Sequence, residues 1–271
     1  MTRAVDRRVH RAYRTRPTLR RDEGSGPAVV FAHGTLMDRT MFDPQVEALS
    51  GDHRCIAYDL RARTENHAEP YDLDDLADDL EALLDGHDVD RCVLVGMSMG
   101  GFMGLRFALR HPDRLDGLVL VDSMAGVHDD VQIQSYDAML DEIRGEDEVP
   151  EALARTSASI LFGETTRENR PELVEDWTER WTSYPPEAVV NEVESWLHRD
   201  DVTDRLDEIT LPVLALHGDQ DVSITVEDAR ETVEGLPDAE LRVIEDAGHS
   251  SNLERPESAN EALKSFLSDV Y

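Results

Sequence analysis

The sequence predicts an α/β protein in which a mostly parallel, doubly wound sheet carries an inserted helical segment. From Ala28 onward, short apolar runs alternate with amphipathic helical patterns, which is typical of a parallel sheet. Between Met124 and about Arg205 this alternation stops, and the chain becomes poor in strand patterns and rich in helical ones. A length of 271 residues fits one large domain or a core with one insertion.

The predicted elements divide the chain into four segments. Strands are expected at 28–32, 54–58, 91–95, 117–121, 213–217 and 241–244, and helices near 41–49, 73–84, 99–110, 226–235 and 257–268. Residues 7–13 are expected to pair with 18–22 as an edge hairpin. The segments are therefore an N-terminal segment (1–22), the first part of the core (23–123), a helical cap (124–205) and the second part of the core (206–271).

The most informative stretch is the pattern G-x-S-x-G at residues 96–100, which lies between an apolar run and a helical one. A serine on a sharp strand-to-helix turn is exposed for nucleophilic attack, and side chains at Gly96 and Gly100 would clash in so tight a turn. The alternative interpretation is a glycine-rich helix start with a capping serine. The strand before Ser98 and the helix after it favour a nucleophile elbow.

A serine nucleophile needs a base that takes its proton and an acid that orients the base. The second half of the chain offers both in loops that follow predicted strands: Gly218-Asp219-Gln220-Asp221 and Asp246-Ala247-Gly248-His249. Because the carboxyl ends of parallel strands meet at one edge of a sheet, these loops are expected to lie near Ser98.

These motifs together resemble those of the α/β-hydrolases with a helical cap, over nearly the whole length from about Gly24. Six motifs occur in the family's order: His33-Gly34-Thr35, Asp59-Leu60-Arg61, Gly96 to Gly100, His111-Pro112-Asp113-Arg114, Gly218 to Asp221, and Gly248-His249 through Glu257. One departure follows Arg61, where the family often has G-x-G-x-S and this chain has Ala62-Arg63-Thr64-Glu65-Asn66.

The resemblance implies a role for each matching residue. Ser98 is the expected nucleophile, His249 the general base and Asp221 the acid that orients it, with the backbone amides of Thr35 and Met99 forming the oxyanion hole. Asp219 in the same loop, and Asp122 after the fourth core strand, remain open as alternative acids. The resemblance implies no cofactor.

Several apolar residues are candidates for the substrate pocket. Trp177 and Trp181 share one helical face and either pack the cap on the core or form the roof of the acyl pocket. Leu36 and Met124 are further candidates, and the core is the alternative for both. His33 and His217 are expected to be structural. The other histidines lie in polar or loop contexts and are expected at the surface: His10, His53, His67, His87, His111, His128 and His198.

Composition restricts the partners and the environment. The chain has 59 Asp and Glu against 27 Lys and Arg, a net charge of −32, and Lys264 is its only lysine. This composition resembles that of proteins from salt-accumulating halophiles and predicts solvent cations at the surface and a need for molar salt. Nucleic acid and anionic membranes are unfavourable partners.

Neither a metal site nor a membrane anchor is expected from the sequence. Cys55 and Cys92 both lie in apolar runs and are expected to be buried, without a disulfide or a metal. The arginine-rich first 21 residues lack the apolar region of an export signal, and no apolar run is long enough to span a bilayer. A cytoplasmic location is therefore predicted.

The predicted function is hydrolysis of a small-to-medium carboxylic ester through an acyl-enzyme. The same three residues also suit an enol-lactone, a C–C bond in a vinylogous diketone, or cofactor-free perhydrolysis. The alternative from another class is a ligand-binding protein that keeps the fold without turnover. The oligomeric state is left open.

Overall fold

The computed structural model describes residues 20–271. These residues contain one seven-stranded sheet. The strands are β1 (Arg20–Glu23), β2 (Ala28–Ala32), β3 (Arg54–Tyr58), β4 (Cys92–Met97), β5 (Leu115–Val121), β6 (Val213–Gly218) and β7 (Ala239–Ile244). Their order is β1-β3-β2-β4-β5-β6-β7, and every neighbouring pair is parallel except β1 with β3. The mostly parallel sheet predicted from the sequence is confirmed.

The helices follow the strands in the alternation that the sequence predicts. They are α1 (Asp43–Leu49), α2 (Leu73–Gly86), α3 (Met99–Arg110), α4 (Asp130–Ile143), α5 (Glu151–Leu161), α6 (Glu164–Asn169), α7 (Pro171–Thr182), α8 (Pro186–Leu197), α9 (Val226–Gly235), α10 (Ser251–Glu254) and α11 (Pro256–Val270). Of the expected N-terminal hairpin, residues 7–13 lie outside the described residues. Residues 20–23 form the antiparallel edge strand β1, with Arg20 opposite Tyr58.

Alternating side chains of the strands form a hydrophobic core on each face of the sheet. Val30 and Leu94 pack with residues of α2 and α3 on one face. Val29 and Val93 pack with residues of α1 and α11 on the other. Because both faces are covered, the strands are apolar in nearly every position, and the doubly wound arrangement is confirmed.

Helix α2 is apolar on the side that faces the core and largely acidic on the other side. A capping box between Asp72 and Asp75 starts the helix, which satisfies two backbone amides at its N-terminus. One of its acids, Asp79, is buried at 1% exposure. Its carboxylate accepts from Arg61 Nε at 2.6 Å and from Arg61 Nη2 at 2.9 Å. This ion pair joins α2 to the loop after β3.

Between β5 and β6 the described chain is helical apart from its connecting loops. It contains α4 to α8 and a 3-10 turn at Thr203–Glu208. Residues 124–205, which the sequence predicts to be the cap, are called the cap segment below. Among residues 20–271, no helix has both the length and the apolar character that crossing a membrane requires.

Candidate active site

Ser98 lies at the carboxyl end of β4, on the turn that starts α3. Its backbone has φ 49° and ψ −114°, a conformation that L-residues rarely adopt. A Cβ on Gly96 would lie 2.3 Å from the Gly100 carbonyl oxygen, and one on Gly100 would lie 2.3 Å from the Ala32 carbonyl oxygen. Glycine is therefore required on both sides of the serine, as the G-x-S-x-G pattern predicts.

A continuous line of hydrogen bonds joins Ser98 to His249 and Asp221. Ser98 Oγ lies 2.9 Å from His249 Nε2, and His249 Nδ1 lies 2.7 Å from Asp221 Oδ2. The other Asp221 oxygen, Oδ1, accepts from the amides of Ser223 at 2.8 Å and Ile224 at 3.0 Å. Since a carboxylate can only accept, His249 Nδ1 carries a proton and Nε2 of the neutral ring is free to accept from Ser98.

Burial and charge act in opposite directions on this line of residues. Burial disfavours the charged form of His249, but the charge and hydrogen bond of Asp221 outweigh it and raise the pKa of His249. Burial also favours neutral Asp221, yet the positive charge on His249 and hydrogen bonds from His217 and His249 lower the pKa of Asp221 below its usual range. Asp221 is therefore ionised at neutral pH and favours an imidazolium at His249.

The two alternative acids have other hydrogen-bond partners. Asp122 accepts from the amide of Gly218 at 2.9 Å with Oδ1 and from that of Ser251 at 2.8 Å with Oδ2, so it joins the loops after β6 and β7. Asp219 accepts from the Ala247 amide at 3.3 Å. Among the three acids, Asp221 alone has a hydrogen bond to His249 in the described residues.

His217 lies next to the acid, a contact that the sequence does not reveal. Its Nε2 lies 2.8 Å from the Ile224 carbonyl oxygen and 3.3 Å from Asp221 Oδ2. Burial lowers the pKa of His217, but Asp221 and Asp122 outweigh it and raise the pKa to about 9. The ligand-type atoms of Asp122, His217 and Asp221 lie within 4.8 Å of one another. Hydrogen bonds within the protein account for both carboxylates, so this cluster supports the acid loop.

Two backbone amides near Ser98, those of Thr35 and Met99, are donors without an acceptor among the described residues. Thr35 follows Gly34, where a Cβ would lie 3.0 Å from Ser98 Cβ, so this loop runs directly beside the serine. Met99 begins α3, and the first amides of a helix have no intrahelical acceptor. Within residues 20–271, neither amide donates to another protein atom. His33 supports the loop, because Nδ1 donates to the Gly34 carbonyl at 2.9 Å and Nε2 accepts from the Leu60 amide at 2.9 Å.

The cap contacts this loop through a buried carboxylate that the sequence analysis missed. Glu192 of α8 has no exposed surface, and its Oε2 accepts from the Leu36 amide at 3.0 Å and from Arg63 Nη2 at 2.9 Å. Leu36 itself has φ 65°. The Arg63 guanidinium also covers the Tyr184 ring, 3.8 Å from its centroid. A sequence signal existed, since Glu192 lies between Val189 and Val193 on the apolar face of an amphipathic helix.

A largely apolar cavity lies between the cap and the sheet edge, above Ser98. Thr35, Leu36, Ser98, Trp181 and His249 are among its lining residues. The cap contributes most of the apolar wall: Met139, Ile143, Val149, Leu153, Ala154, Ile160, Leu161, Val189 and Val193. The space open to the centre of a water molecule is about 50 Å³.

Two of the residues expected in the pocket lie elsewhere. Met124 packs in the core that contains Phe102 and Ala125. Trp177 packs inside the cap, with the Arg180 guanidinium 4.6 Å from the centre of its ring. Only one of the two tryptophans on the α7 face therefore reaches the cavity, because Trp181 lies one turn further along the helix.

His128 was expected at the surface, and this expectation is wrong. It is 4% exposed and lines the cavity, where it packs against the rings of Phe102, Tyr136 and Trp196. Rings from three separate elements enclose it, and the sequence around His128 gives no signal of these long-range contacts.

A family model covers most of the chain. The family model for the alpha/beta hydrolase fold matches residues 27–256. The chain therefore belongs to the α/β-hydrolase family, as the motifs predict.

Individual relatives share about a quarter to a third of the residues. The chain is 28% identical over 243 residues to 3-oxoadipate enol-lactonase 2 of Acinetobacter baylyi, covering 89% of this chain and 88% of that protein. It is 28% identical over 255 residues to a provisionally named carbamate hydrolase, RutD, of a Caulobacter species, covering 90% and 93%. Among solved structures, a thermophilic esterase from Thermogutta terrifontis has a TM-score of 0.86 and 32% identity, with 93% of each chain covered.

Proposed function

We propose that this hydrolase cleaves small-to-medium, uncharged carboxylic esters through an acyl-enzyme on Ser98. The observation that carries the proposal is the hydrogen-bonded line from Ser98 through His249 to Asp221, which ends in the apolar cavity. Such a line activates a hydroxyl that is otherwise inert at neutral pH.

In the acylation step, Ser98 Oγ attacks the ester carbonyl carbon while its proton passes to His249 Nε2. The amides of Thr35 and Met99 donate to the oxyanion of the tetrahedral intermediate, and losing one such donor costs about 10²–10³ in rate. Asp221 stabilises the imidazolium that forms. His249 then gives the proton to the leaving oxygen, the C–O bond breaks, and the alcohol departs.

In the deacylation step, water takes the place of the alcohol. Its proton passes to His249 Nε2 as its oxygen attacks the acyl carbon. The second tetrahedral intermediate collapses, Ser98 Oγ leaves and recovers the proton, and the carboxylic acid is released. The enzyme returns to its starting protonation state, so no other reactant is needed.

The cavity wall supports an uncharged, apolar substrate. Lysine and arginine do not occur among the lining residues in the described part of the chain, and the pKa of His128 in the wall is lowered to about 4, chiefly by burial. A carboxylate buried there would have no cation to pair with, which is costly in an apolar surrounding. The thermophilic esterase with 32% identity supports ester chemistry in a similar fold.

Lactone hydrolysis is the second candidate function. It is favoured by the 28% identity over 243 residues with a 3-oxoadipate enol-lactonase. A lactone is an internal ester, so the same steps apply and the leaving oxygen stays attached to the acyl group.

Hydrolysis of p-nitrophenyl esters with acyl chains of two to ten carbons tests the proposal. We expect the wild type to hydrolyse short and medium chains in molar KCl, and Ser98→Ala to lose about 10⁴-fold or more in kcat, as removal of a nucleophile does in comparable enzymes. Ser265→Ala is the matched control, because Ser265 is exposed on α11 and should leave kcat unchanged. Equal activity in wild type and Ser98→Ala would refute the proposed nucleophile.

Hydrolysis of γ- and δ-lactones, followed by the release of acid, distinguishes lactone hydrolysis from open-chain ester hydrolysis. A kcat/KM for lactones well above that for the open-chain esters would move the assignment to a lactonase. A preference for open-chain esters supports the first proposal.

A further inference from the structure

His128 contributes an imidazole to a part of the cavity wall that also includes the rings of Tyr136 and Trp196. It lies in the loop before α4, at the start of the cap segment, and lines the cavity that contains Ser98 and His249. Its ring centre lies 5.2 Å from that of Trp196, 5.6 Å from that of Tyr136 and 6.3 Å from that of Phe102. These three rings hold the imidazole in one orientation.

Arg199 determines which nitrogen of His128 carries the proton. Arg199 Nη1 lies 3.1 Å from His128 Nδ1. A guanidinium has only donors, so Nδ1 must accept and the proton of the neutral ring is on Nε2. A protonated ring would set an N–H against the guanidinium, and burial together with the charge of Arg199 lowers the pKa of His128 to about 4. The ring is therefore neutral near pH 7.

Arg199 is itself held in place by several contacts. Its Nη2 donates to the Gly126 carbonyl at 2.6 Å, and its Nη1 donates to the Trp196 carbonyl at 3.2 Å. The guanidinium also lies 3.8 Å from the centre of the Phe102 ring. Because the arginine cannot turn away without losing these contacts, the tautomer of His128 is fixed.

The donor Nε2–H has no acceptor within residues 20–271. Since Nδ1 faces Arg199 and the residue lines the cavity, Nε2 is the nitrogen available to a bound molecule. When an apolar substrate displaces water from the cavity, a donor without an acceptor costs free energy, and a substrate oxygen that accepts from it removes that cost.

We propose that His128 is a specificity-determining residue that donates from Nε2 to an uncharged acceptor oxygen of the substrate, separate from the ester group that Ser98 attacks. The acceptor is an ether, keto, hydroxyl or second ester oxygen, in either the acyl or the alcohol portion. This inference rests on the proposed ester hydrolysis. Among the esters that fit the cavity, those with such an oxygen should be preferred over those without one.

Matched ester pairs test the inference. In the acyl series, p-nitrophenyl hexanoate is compared with analogues in which one methylene at position 4 or 5 is replaced by oxygen. In the alcohol series, pentyl butyrate is compared with 2-ethoxyethyl butyrate by acid release. The measured quantity is the ratio of kcat/KM for the oxygen-containing ester to that for the alkyl ester, and the series that responds shows where the acceptor lies.

Two substitutions separate the donor from the packing of the ring. His128→Asn keeps a carbonyl oxygen near the position of Nδ1 for Arg199 and removes the donor at Nε2. His128→Gln keeps an N–H near the position of Nε2. A loss of folded protein cancels in the ratio, because both esters are measured on the same preparation.

We expect a wild-type ratio above one in at least one series, a drop of about ten-fold in His128→Asn, and a value within about three-fold of wild type in His128→Gln. If His128→Asn leaves the ratio unchanged in every series, or if the wild type shows no preference, His128 does not select the substrate while ester hydrolysis still stands. If the wild type hydrolyses no ester at all and a fluorophosphonate does not label Ser98, the proposed function fails, and this inference fails with it.

Discussion

Asp221 differs from its two neighbouring acids in the atoms that its carboxylate contacts. Oδ2 faces His249, while Oδ1 accepts hydrogen bonds from two backbone amides, which hold the side chain in one rotamer. Asp122 and Asp219 instead accept hydrogen bonds from backbone amides of the surrounding loops. One carboxylate therefore contacts the proposed base, and the other two contact backbone amides of the loops.

We therefore expect Asp221→Asn to lower kcat by about 10⁴-fold with little change in KM, because an amide at this position favours the wrong tautomer of His249. Asp219→Asn is the matched control, since it keeps the shape of a residue in the same loop, and kcat should stay within about three-fold. Ester hydrolysis by both variants, with circular dichroism to verify folding, measures the difference. A larger loss in Asp219→Asn would reassign the acid.

The pH dependence of activity follows from His249. In the proposed mechanism it must be neutral to take the proton of Ser98, and Asp221 outweighs burial and raises its pKa above the ordinary value of about 6.5. A raised pKa keeps the ring protonated to higher pH, so activity should fall as the pH drops through a value above 6.5. The acid limb of kcat/KM against pH, at constant ionic strength, measures this value. A midpoint at or below 6.5 would contradict the geometry of the pair.

Helix α8 connects the cap to the core through the buried contact of Glu192. One carboxylate oxygen accepts from the Leu36 amide, next to the proposed oxyanion donor of Thr35, and from Arg63. Both side chains are nearly fully buried, at 6% exposure for Arg63 and 0% for Glu192. Removing one partner of such a pair leaves the other charge buried without compensation.

Arg63→Met should lower the free energy of unfolding by about 3–5 kcal/mol, the usual cost of breaking a buried ion pair from one side. Glu194→Gln is the control, because Glu194 lies on the same helix as Glu192 but is exposed and pairs with Arg144 at the surface. It should change the unfolding free energy by less than about 1 kcal/mol. Urea unfolding in molar KCl measures both. Equal effects would show that the buried pair contributes nothing beyond a surface pair.

The core elements could be predicted from the sequence because their signals are local. The strands at 28–32 and 54–58 and the helix at 99–110 have the predicted limits, since apolar runs and helical periodicity depend on neighbouring residues. The turn at Ser98 was also predictable, because glycine at 96 and 100 is needed at any such turn.

The contacts of the cap could not be predicted in the same way. Glu192 is one acid among 59: its place on the apolar face of a helix indicates burial, but nothing beside it in the sequence shows that Arg63 pairs with it. His128 is buried by rings from three elements. Met124 and Trp177 do not line the cavity and Trp181 does, because the helix or loop that carries each side chain orients it differently. Burial at these positions depends on how the cap packs on the sheet.

The charge of the whole molecule sets its expected environment. Acids exceed bases by 32, and ion pairs such as those of Arg155 with Glu151 and Glu175 engage arginines at the surface. The remaining acids repel one another in dilute buffer, and molar salt screens charges beyond about 3 Å.

We therefore predict that the midpoint of urea unfolding rises between 0.1 M and 2 M KCl, as followed by circular dichroism. Sucrose at matched osmolality is the control: it stabilises by exclusion from the protein surface but screens no charge, so it should raise the midpoint less than KCl does. A midpoint that is independent of KCl would contradict the prediction of a salt-requiring protein and leave the hydrolase assignment unaffected.

Covalent labelling with a fluorophosphonate in molar KCl, mapped by mass spectrometry, tests whether Ser98 is an activated nucleophile. We expect one phosphonyl group per chain, on Ser98, with no labelling of Ser98→Ala and much slower labelling of Asp221→Asn. A binding protein with an inactive serine would not react. The absence of labelling, or labelling at another serine, would show that Ser98 is not the activated nucleophile.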